Sequence, residues 1–206
     1  MIKLILVRHT ETIWNEEFRY IGSTDMDLSP LGEKHAAMMA AYLGAEDVEA
    51  IFASDMNRAR QTAAAIAAYH DIKTKYLSEL REVGFGAWEG LTYGEIKENY
   101  SQIIDDWLDD PLNVTMPGGE SWSAFESRVE AGLKKVLDSG INGTIIIVTH
   151  GGPIKVIIGQ ALGIPASSYW QIYQDKGAIN EIHYGGGRPR LSLLNDRCYL
   201  KTADID

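Results

Sequence analysis

Two histidines lie at or just beyond the ends of apolar runs that predict buried strands. His9 comes after the run 4–7, and His150 comes after the run 145–149. Ligands of open α/β sheets bind beyond the carboxyl ends of the strands, so neighbouring strands would bring both imidazoles to one pocket. The shared placement favours a joint functional role over a structural one. The remaining histidines lack this context and are interpreted as structural or surface residues: His35, His70 and His183.

Candidate anion-binding groups surround these histidines. Arg8 precedes the first of them, and its planar guanidinium matches phosphate oxygens bidentately. Arg58 and Arg60 are two residues apart in a predicted helix, so they point to different faces and one of them could enter the pocket. Gly151 and Gly152 would present backbone N–H groups at a helix N-terminus, where anions bind. Together these groups predict a site for a phosphoryl group.

The chemistry that fits such a site is phosphoryl transfer to a histidine. The sequence has neither a phosphate-binding Gly-x-x-x-x-Gly-Lys-Ser/Thr loop nor a His-Glu-x-x-His metal pair. Nearby arginines lower the pKa of an imidazole and keep its lone pair free, so His9 could attack phosphorus. The leaving alkoxide would then need a proton, and Glu82, before a glycine-rich loop, is the best placed carboxylic acid.

The elements that must position these residues alternate between strands and helices. The pattern predicts an α/β fold, a three-layer sandwich with a mostly parallel sheet and helices on both faces. Ser29 and Pro30 are typical of the start of a helix that Gly44 ends, and Asp55 or Asn57 could cap the next one. Strands are predicted at about 2–7, 49–53, 144–149, 178–184 and 190–194, and helices at about 30–43, 58–69, 93–108, 120–137 and 153–162.

The region from about 93 to 138 is predicted as a helical insert that shapes a cleft over the sheet edge. No repeat or linker interrupts the chain, so residues 1–206 are expected to form a single domain. Trp14, Tyr20, Trp107 and Trp122 could supply a stacking wall for an aromatic substrate. The simpler interpretation of Trp107 and Trp122 is that they fill the apolar faces of the insert helices.

Composition limits the function classes. The chain has 206 residues, 45% of them hydrophobic, with one cysteine and a net charge of −10. The negative charge argues against general affinity for nucleic acid or anionic membranes, and no apolar run is long enough to span a bilayer. One cysteine excludes an internal disulfide, so a cytoplasmic location is expected. The expected partner is a small phosphorylated metabolite, and the chain could form a homodimer.

Six segments in order resemble the motifs of the histidine phosphatase superfamily, the phosphoglycerate-mutase-like proteins. The resemblance covers about residues 2–162 and is specific because the segments keep their order and separation. The segments are Arg8-His9-Thr10-Glu11-Thr12 with Trp14-Asn15, Asp27 to Gly32, Ser54 to Ala63, Glu82 to Gly90, Pro117 to Ser121, and Val148 to Gly152.

The resemblance implies a role for each matching position. His9 would be the phosphorylated nucleophile, and Glu82 would donate a proton to the leaving group and later activate water. No metal or other cofactor is expected. The groups that would hold the phosphoryl oxygens are Arg8, Arg58, His150, the side chain of Asn15 and the backbone N–H of Gly151.

Two positions depart from the family pattern, and the second of them bears on substrate choice. Thr10 stands where glycine is usual, which indicates an ordinary backbone conformation there, and Ile21 replaces a common glutamine. Thr10, Ile21 and Gly22 are therefore added to the candidate substrate-binding residues. The segment 20–25 and the tail 174–180 resemble the α-ribazole phosphatase branch, which acts in cobalamin synthesis, so α-ribazole 5′-phosphate is the expected substrate.

Other functional interpretations of the same residues remain open. A broad-specificity phosphatase or a mutase-type phosphoryl transferase would share the pocket, although the chain is short for a mutase. A regulatory module that binds phosphate without turnover usually lacks the nucleophile or the acid, whereas His9 and Glu82 are both present. A metal-dependent hydrolase would lose its activity in EDTA.

Overall fold

A six-stranded sheet lies at the centre of the computed structural model, which describes the backbone of residues 1–204 and the side chains of residues 1–201. The order across the sheet is β3-β2-β4-β1-β5-β6. The strands are β1 (Ile2–Arg8), β2 (Val48–Ala53), β3 (Lys75–Tyr76), β4 (Gly143–Thr149), β5 (Ile179–Tyr184) and β6 (Arg190–Asp196). The four strands from β3 to β1 are parallel, and β5 and β6 add an antiparallel edge. The predicted mostly parallel sheet is confirmed.

Helices cover both faces of the sheet, which confirms the three-layer sandwich. On β1, Leu4 and Leu6 belong to one core and Ile5 and Val7 to the other, because successive side chains of a strand point to opposite faces. Helices α2 and α3 cover the second core, and α4 to α7 cover the first. The helices are α1 (Ile13–Glu16), α2 (Pro30–Leu43), α3 (Asn57–His70), α4 (Tyr93–Asn99), α5 (Ser101–Asp109), α6 (Trp122–Leu137) and α7 (Gly151–Leu162).

The starts of α2 and α3 differ in how they are capped. The Ser29 hydroxyl accepts a hydrogen bond from the Gly32 N–H and Pro30 begins α2, as predicted. The prediction of Asp55 or Asn57 as the cap of α3 was wrong, because Met56 holds that position without a side-chain bond. The Asn57 N–H instead donates to Asp25 Oδ1 at 2.7 Å, so a carboxylate from a distant loop satisfies this helix end.

The region predicted as one helix over 93–108 forms two. Helix α4 begins at a capping box made by Thr92 and Glu95, and Tyr100 leaves the helical conformation before α5 starts. Trp107 and Trp122 are buried in the core above the sheet, which confirms that they fill helix faces. None of the helices within residues 1–204 has the length and apolar character that a membrane crossing needs.

Candidate active site

The two strand-end histidines meet at the centre of the carboxyl edge of the sheet. β1 and β4 are direct neighbours, and the His9 N–H donates to the Thr149 carbonyl at 2.9 Å. The ring centroids of His9 and His150 are 5.1 Å apart. Both side chains are buried, His9 with 4% of its surface exposed and His150 with none. The two imidazoles therefore lie side by side, as their strand-end positions predict, and their joint role in one functional site stays a prediction.

Hydrogen bonding fixes the tautomer of His9. Its Nδ1 lies 2.7 Å from the Thr10 carbonyl oxygen, which can only accept, so Nδ1 carries the proton and Nε2 keeps its lone pair. Burial, together with the charges of Arg58 and Arg8, holds the pKa of His9 well below its ordinary value. The imidazole is therefore neutral at physiological pH, and its Nε2 lone pair is free for bond formation.

Arg58 and His150 form a buried pair beside His9. The Arg58 Nε–H donates to His150 Nδ1 at 3.2 Å, which leaves the proton of His150 on Nε2, 2.9 Å from Ser54 Oγ. Burial and the charge of Arg58 hold the pKa of His150 well below its ordinary value. The imidazole of His150 is therefore also neutral, and its orientation is fixed from both sides.

Arg58 is fully buried, yet it remains a cation. Burial lowers its pKa to about 10, which is still far above neutral pH. Its Nη1 donates to the Thr24 carbonyl at 2.9 Å and its Nη2 to the Gly22 carbonyl at 2.7 Å. Three of the five guanidinium N–H groups are thus used by the protein. Arg58 and His150 stand behind the cleft wall rather than in it, and their contact with a phosphoryl group stays a prediction.

Arg8 lies in the cleft wall with part of its guanidinium unsatisfied. Its Nη1 donates to the Gln174 carbonyl at 2.5 Å, and the guanidinium packs against the backbone of Gly151. Its Nε is buried without a hydrogen-bond partner among the described residues. A buried N–H of this kind is costly unless a ligand accepts from it, so it favours an anion at this point.

Glu82 lines the same cleft at the start of α7. Both of its carboxylate oxygens lie 3.1 Å from the Gly152 N–H at the start of α7, and Oε1 also accepts from the Val83 N–H at 3.0 Å. A Cβ at position 152 would stand 2.2 Å from Glu82 Oε1, so glycine is required there by the close approach of the carboxylate. Glu82, the acid proposed from spacing, and His9 therefore line the same cleft.

The helical insert holds the Glu82 loop from behind. Arg128 donates to the backbone carbonyls of Glu79, Arg81 and Glu82 at 3.0, 2.6 and 2.8 Å, and it forms an ion pair with Glu120. The cleft itself is lined by other segments of the described chain, none of them within 93–138. The insert therefore supports the acid instead of shaping the cleft wall, which corrects that part of the prediction.

Three of the five candidate substrate-binding residues line the cleft: Asn15, Ile21 and Gly151. Asn15 lies in α1 with its amide oxygen accepting from the N–H and hydroxyl of Thr12, at 3.2 and 3.0 Å. That orientation leaves the amide NH₂ as the group for a ligand. Ile21 also lines the cleft and contributes an apolar surface.

The other two substrate-binding candidates act behind the cleft, which corrects the prediction. Thr10 is fully buried, with its N–H donating to Thr62 Oγ1 and its hydroxyl to the Gly32 carbonyl. Its φ is not positive, as expected, and its carbonyl holds the His9 ring. The Gly22 carbonyl accepts a hydrogen bond from Arg58 Nη2. A Cβ at position 22 would stand 2.3 Å from the Val83 carbonyl oxygen.

Sequence reasoning missed most of the outer cleft. The cleft encloses about 390 Å³, and of the four aromatic residues proposed as its wall only Tyr20 lines it. Lys155 could have been found, because it lies one helical turn after Gly151 on the same face. The segment 170–176 has no periodicity that would place it here. The missed residues are Phe18, Arg19, Phe85, Lys155, Trp170, Tyr173, Gln174, Asp175 and Lys176.

A buried amide pair supports Arg8 from below. The side chains of Gln174 and Asn180 exchange two hydrogen bonds of 2.9 Å, and Asn180 also donates to the Leu6 carbonyl on β1. This pair fixes the segment whose Gln174 carbonyl accepts from Arg8. The position of the cleft arginine is therefore tied to the antiparallel edge of the sheet.

Known proteins are similar to this chain in sequence and fold over nearly its whole length. The sequence model of the histidine phosphatase superfamily (branch 1) matches residues 4–197. Phosphoserine phosphatase 1 of Hydrogenobacter thermophilus is 33% identical over 97% of this chain and 95% of its own length. The crystal structure of the α-ribazole phosphatase of Shigella flexneri superposes with a TM-score of 0.87 at 26% identity, covering 94% of this chain and 96% of the other.

A third similar protein is the phosphoserine phosphatase of Entamoeba histolytica, whose structure was determined as a mutant in complex with phosphoserine. It superposes with a TM-score of 0.85 at 29% identity, covering 97% of this chain and 100% of the other. The similar proteins thus carry at least two different substrate names.

Proposed function

The chain belongs to the histidine phosphatase superfamily and is a phosphoric monoester hydrolase, and from that premise we propose that His9 carries the phosphoryl group as a covalent phosphohistidine. The observation that carries this proposal is the fixed tautomer of His9. Its Nδ1–H is bound to the Thr10 carbonyl, its Nε2 lone pair is free, and its pKa is well below the ordinary value.

In the first step, His9 Nε2 attacks the phosphorus of the bound ester. The N–P bond forms as the P–O bond to the leaving alcohol breaks, and the protonated Glu82 carboxyl gives its proton to that oxygen. Arg8, with its unpartnered Nε, and the charge of Arg58 stabilise the negative charge that develops on the phosphoryl oxygens. The alcohol then leaves through the outer cleft.

In the second step, water attacks the phosphohistidine. The Glu82 carboxylate takes a proton from the water, the new P–O bond forms, and the N–P bond breaks with its electrons returning to His9 Nε2. Inorganic phosphate leaves, and Glu82 is again protonated for the next cycle. Both steps use the same two side chains in the same cleft.

The reaction is proposed to need no metal ion. Within the part of the chain that the structure describes, no group of three or more His, Cys, Asp or Glu side chains could hold one. The positive charge for the phosphoryl group would come from Arg8 and Arg58 instead. Assays in EDTA test this part of the proposal.

Two candidate substrates are supported by the similar proteins and by the residues that line the cleft. α-Ribazole 5′-phosphate, the substrate expected from the sequence, is supported by the likeness to an α-ribazole phosphatase and by aromatic side chains along the outer cleft: Tyr20, Phe85 and Trp170. L-Phosphoserine is supported by the likeness to two phosphoserine phosphatases and by Lys155, a basic side chain that lines the same cleft.

The test measures kcat/KM for both esters and for p-nitrophenyl phosphate in EDTA, with the wild type and with His9→Ala. A preferred ester should exceed p-nitrophenyl phosphate by about 10³, or roughly 4 kcal/mol of differential transition-state binding. His9→Ala should lose about 10⁴ or more of kcat/KM on every ester, because the covalent route is closed.

Other outcomes would change the assignment. Similar, modest values for all three esters would indicate a broad-specificity phosphatase. An isomeric phosphomonoester in place of inorganic phosphate would indicate a mutase. Turnover that survives His9→Ala would overturn the covalent mechanism.

A further inference from the structure

Lys155 lies in the wall of the cleft without an acidic partner. It follows Gly151 by one turn of α7, an axial rise of about 6 Å, and both residues line the cleft that holds His9. Among the described residues, no carboxylate oxygen lies within 4 Å of its Nζ. A half-buried cation that faces a cavity without an ion pair indicates a site for an anion.

The position of Lys155 is fixed by an aromatic ring. Its Nζ lies 4.6 Å from the ring centre of Trp170, a cation–π contact that holds the ammonium at the side of the cleft. Burial lowers the pKa of Lys155, which reflects how much of its hydration is lost. The contact with the Trp170 ring replaces only part of the lost hydration, so an anionic ligand would stabilise the ammonium further.

The other basic residues of the outer cleft are already engaged. Arg19 pairs with Glu17 at 2.6 Å and with Glu95 at 3.1 Å. Lys176 lies 3.9 Å from Glu11. Lys155 is therefore the basic side chain of the outer cleft whose charge is left for a ligand.

We propose that Lys155 binds a second acidic group on the leaving-group side of the substrate, so that the enzyme prefers small phosphomonoesters whose leaving alcohol carries a carboxylate. The inference rests on the proposed phosphatase and adds the chemical class of its substrate. The phosphoryl group would lie at Arg8 and His9, and the carboxylate would accept a hydrogen bond from Lys155 Nζ about one helical turn away. α-Ribazole 5′-phosphate has no carboxylate and would gain nothing from this contact.

A different role for Lys155 makes a different prediction. Its charge also acts on Glu82 across the cleft, and its stem packs on Trp170. A lysine that only tuned Glu82 or filled space would affect every substrate alike. A lysine that binds a carboxylate affects only the substrates that have one.

The experiment therefore compares L-phosphoserine with phosphoethanolamine, which differs only in lacking the carboxylate. Lys155→Met keeps the apolar stem over Trp170 but removes the charge, and we expect it to lower kcat/KM for phosphoserine about ten- to hundredfold, the value of one charge-assisted hydrogen bond. Phosphoethanolamine should change less than about threefold. Lys155→Arg keeps the charge and should retain most of the preference for phosphoserine.

Lys34→Met, on the exposed surface of α2, is the matched control and should behave as wild type on both esters. An equal loss on both esters in Lys155→Met, or no loss on either, would overturn the carboxylate contact while leaving the phosphatase intact. If the wild type released phosphate from neither ester, nor from the three esters of the first assay, the proposed function would fail and this inference with it.

Discussion

The inner and outer ends of the cleft are built in different ways. At the inner end, His9, Arg58 and His150 are buried, and each is held by hydrogen bonds to the protein. At the outer end, Phe18 and Tyr173 line the rim with 81% and 70% of their surfaces exposed. The groups at the inner end are fixed by the protein, whereas these two side chains at the rim have few contacts to hold them.

The difference follows from what each end must do. Groups that stabilise a developing charge work best when they are already oriented, since no energy is then spent on reorganisation during the reaction. Exposed side chains lose conformational entropy when they are ordered by a ligand, so each contributes little to binding. We therefore expect the inner end to carry out the reaction and the outer end to influence which ester is used.

After the loss of His9 itself, the largest effect is expected from a change at Glu82, the proposed proton donor. Glu82→Gln can keep the contact with the Gly152 N–H through its amide oxygen, but it cannot transfer a proton. We expect kcat to fall about 10²- to 10⁴-fold for an alkyl phosphate, whose leaving group must be protonated. The loss should be much smaller for p-nitrophenyl phosphate, because nitrophenolate leaves as an anion.

Glu33→Gln on the exposed surface of α2 serves as the control and should leave both rates unchanged. An equal loss on the two esters would contradict the role of Glu82 as proton donor. It would assign the carboxylate to positioning the loop that Arg128 holds.

An intermediate effect is expected from pH, through the buried histidines of the inner end. His9 and His150 have folded-state pKa values well below the ordinary value of 6.5, so the unfolded chain binds more protons. The free energy of unfolding should therefore fall as pH drops below about 6.5, by up to about 1.4 kcal/mol per pH unit for each histidine. Urea unfolding between pH 7.5 and 5.5 measures this slope.

The variant His9→Asn separates this contribution from that of other titrating groups. It removes one buried imidazole and should reduce the slope by about the share of one histidine. A slope that stays the same in the variant would show that His9 takes up its proton equally well in both states, contrary to the burial described above.

The smallest effect is expected at the rim. Phe18 adopts φ of 56° and is mostly exposed, so Phe18→Ala removes little buried surface. We expect KM to rise about two- to fivefold with kcat nearly unchanged, in steady-state assays on the preferred ester. Leu31→Ala, at an exposed position of α2, is the control. A fall in kcat of tenfold or more would contradict the prediction that rim residues affect substrate binding and leave the chemical step unchanged.

Much of the fold could be predicted from local patterns. The helix predicted over 30–43 is Pro30–Leu43, and the strand predicted over 144–149 is Gly143–Thr149. Capping residues, alanine content and β-branched runs are properties of neighbouring residues, so they can be seen in a sequence. The cap of α3 was missed because Asp25, which binds the Asn57 N–H, comes from a loop 32 residues away.

The candidate site, like the fold, was predicted only in part from the sequence. His9, Arg8, Glu82 and Asn15 were predicted and lie together in the cleft. Thr10 and Gly22 were predicted to bind substrate, but they hold His9 and Arg58 from behind. A motif identifies the residues of a site, whereas contact with the cleft depends on which side of the backbone each side chain faces.

The sequence by itself determined the α/β architecture, the family and the phosphatase activity, because strand periodicity and the ordered motifs depend on the types of neighbouring residues. The tertiary structure alone decided the tautomer of His9, the unpartnered Nε of Arg8 and the place of Lys155 over Trp170. Each of these depends on contacts between segments far apart in the chain. Long-range packing sets hydration and hydrogen-bond partners, and these determine the charge state and the availability of each group.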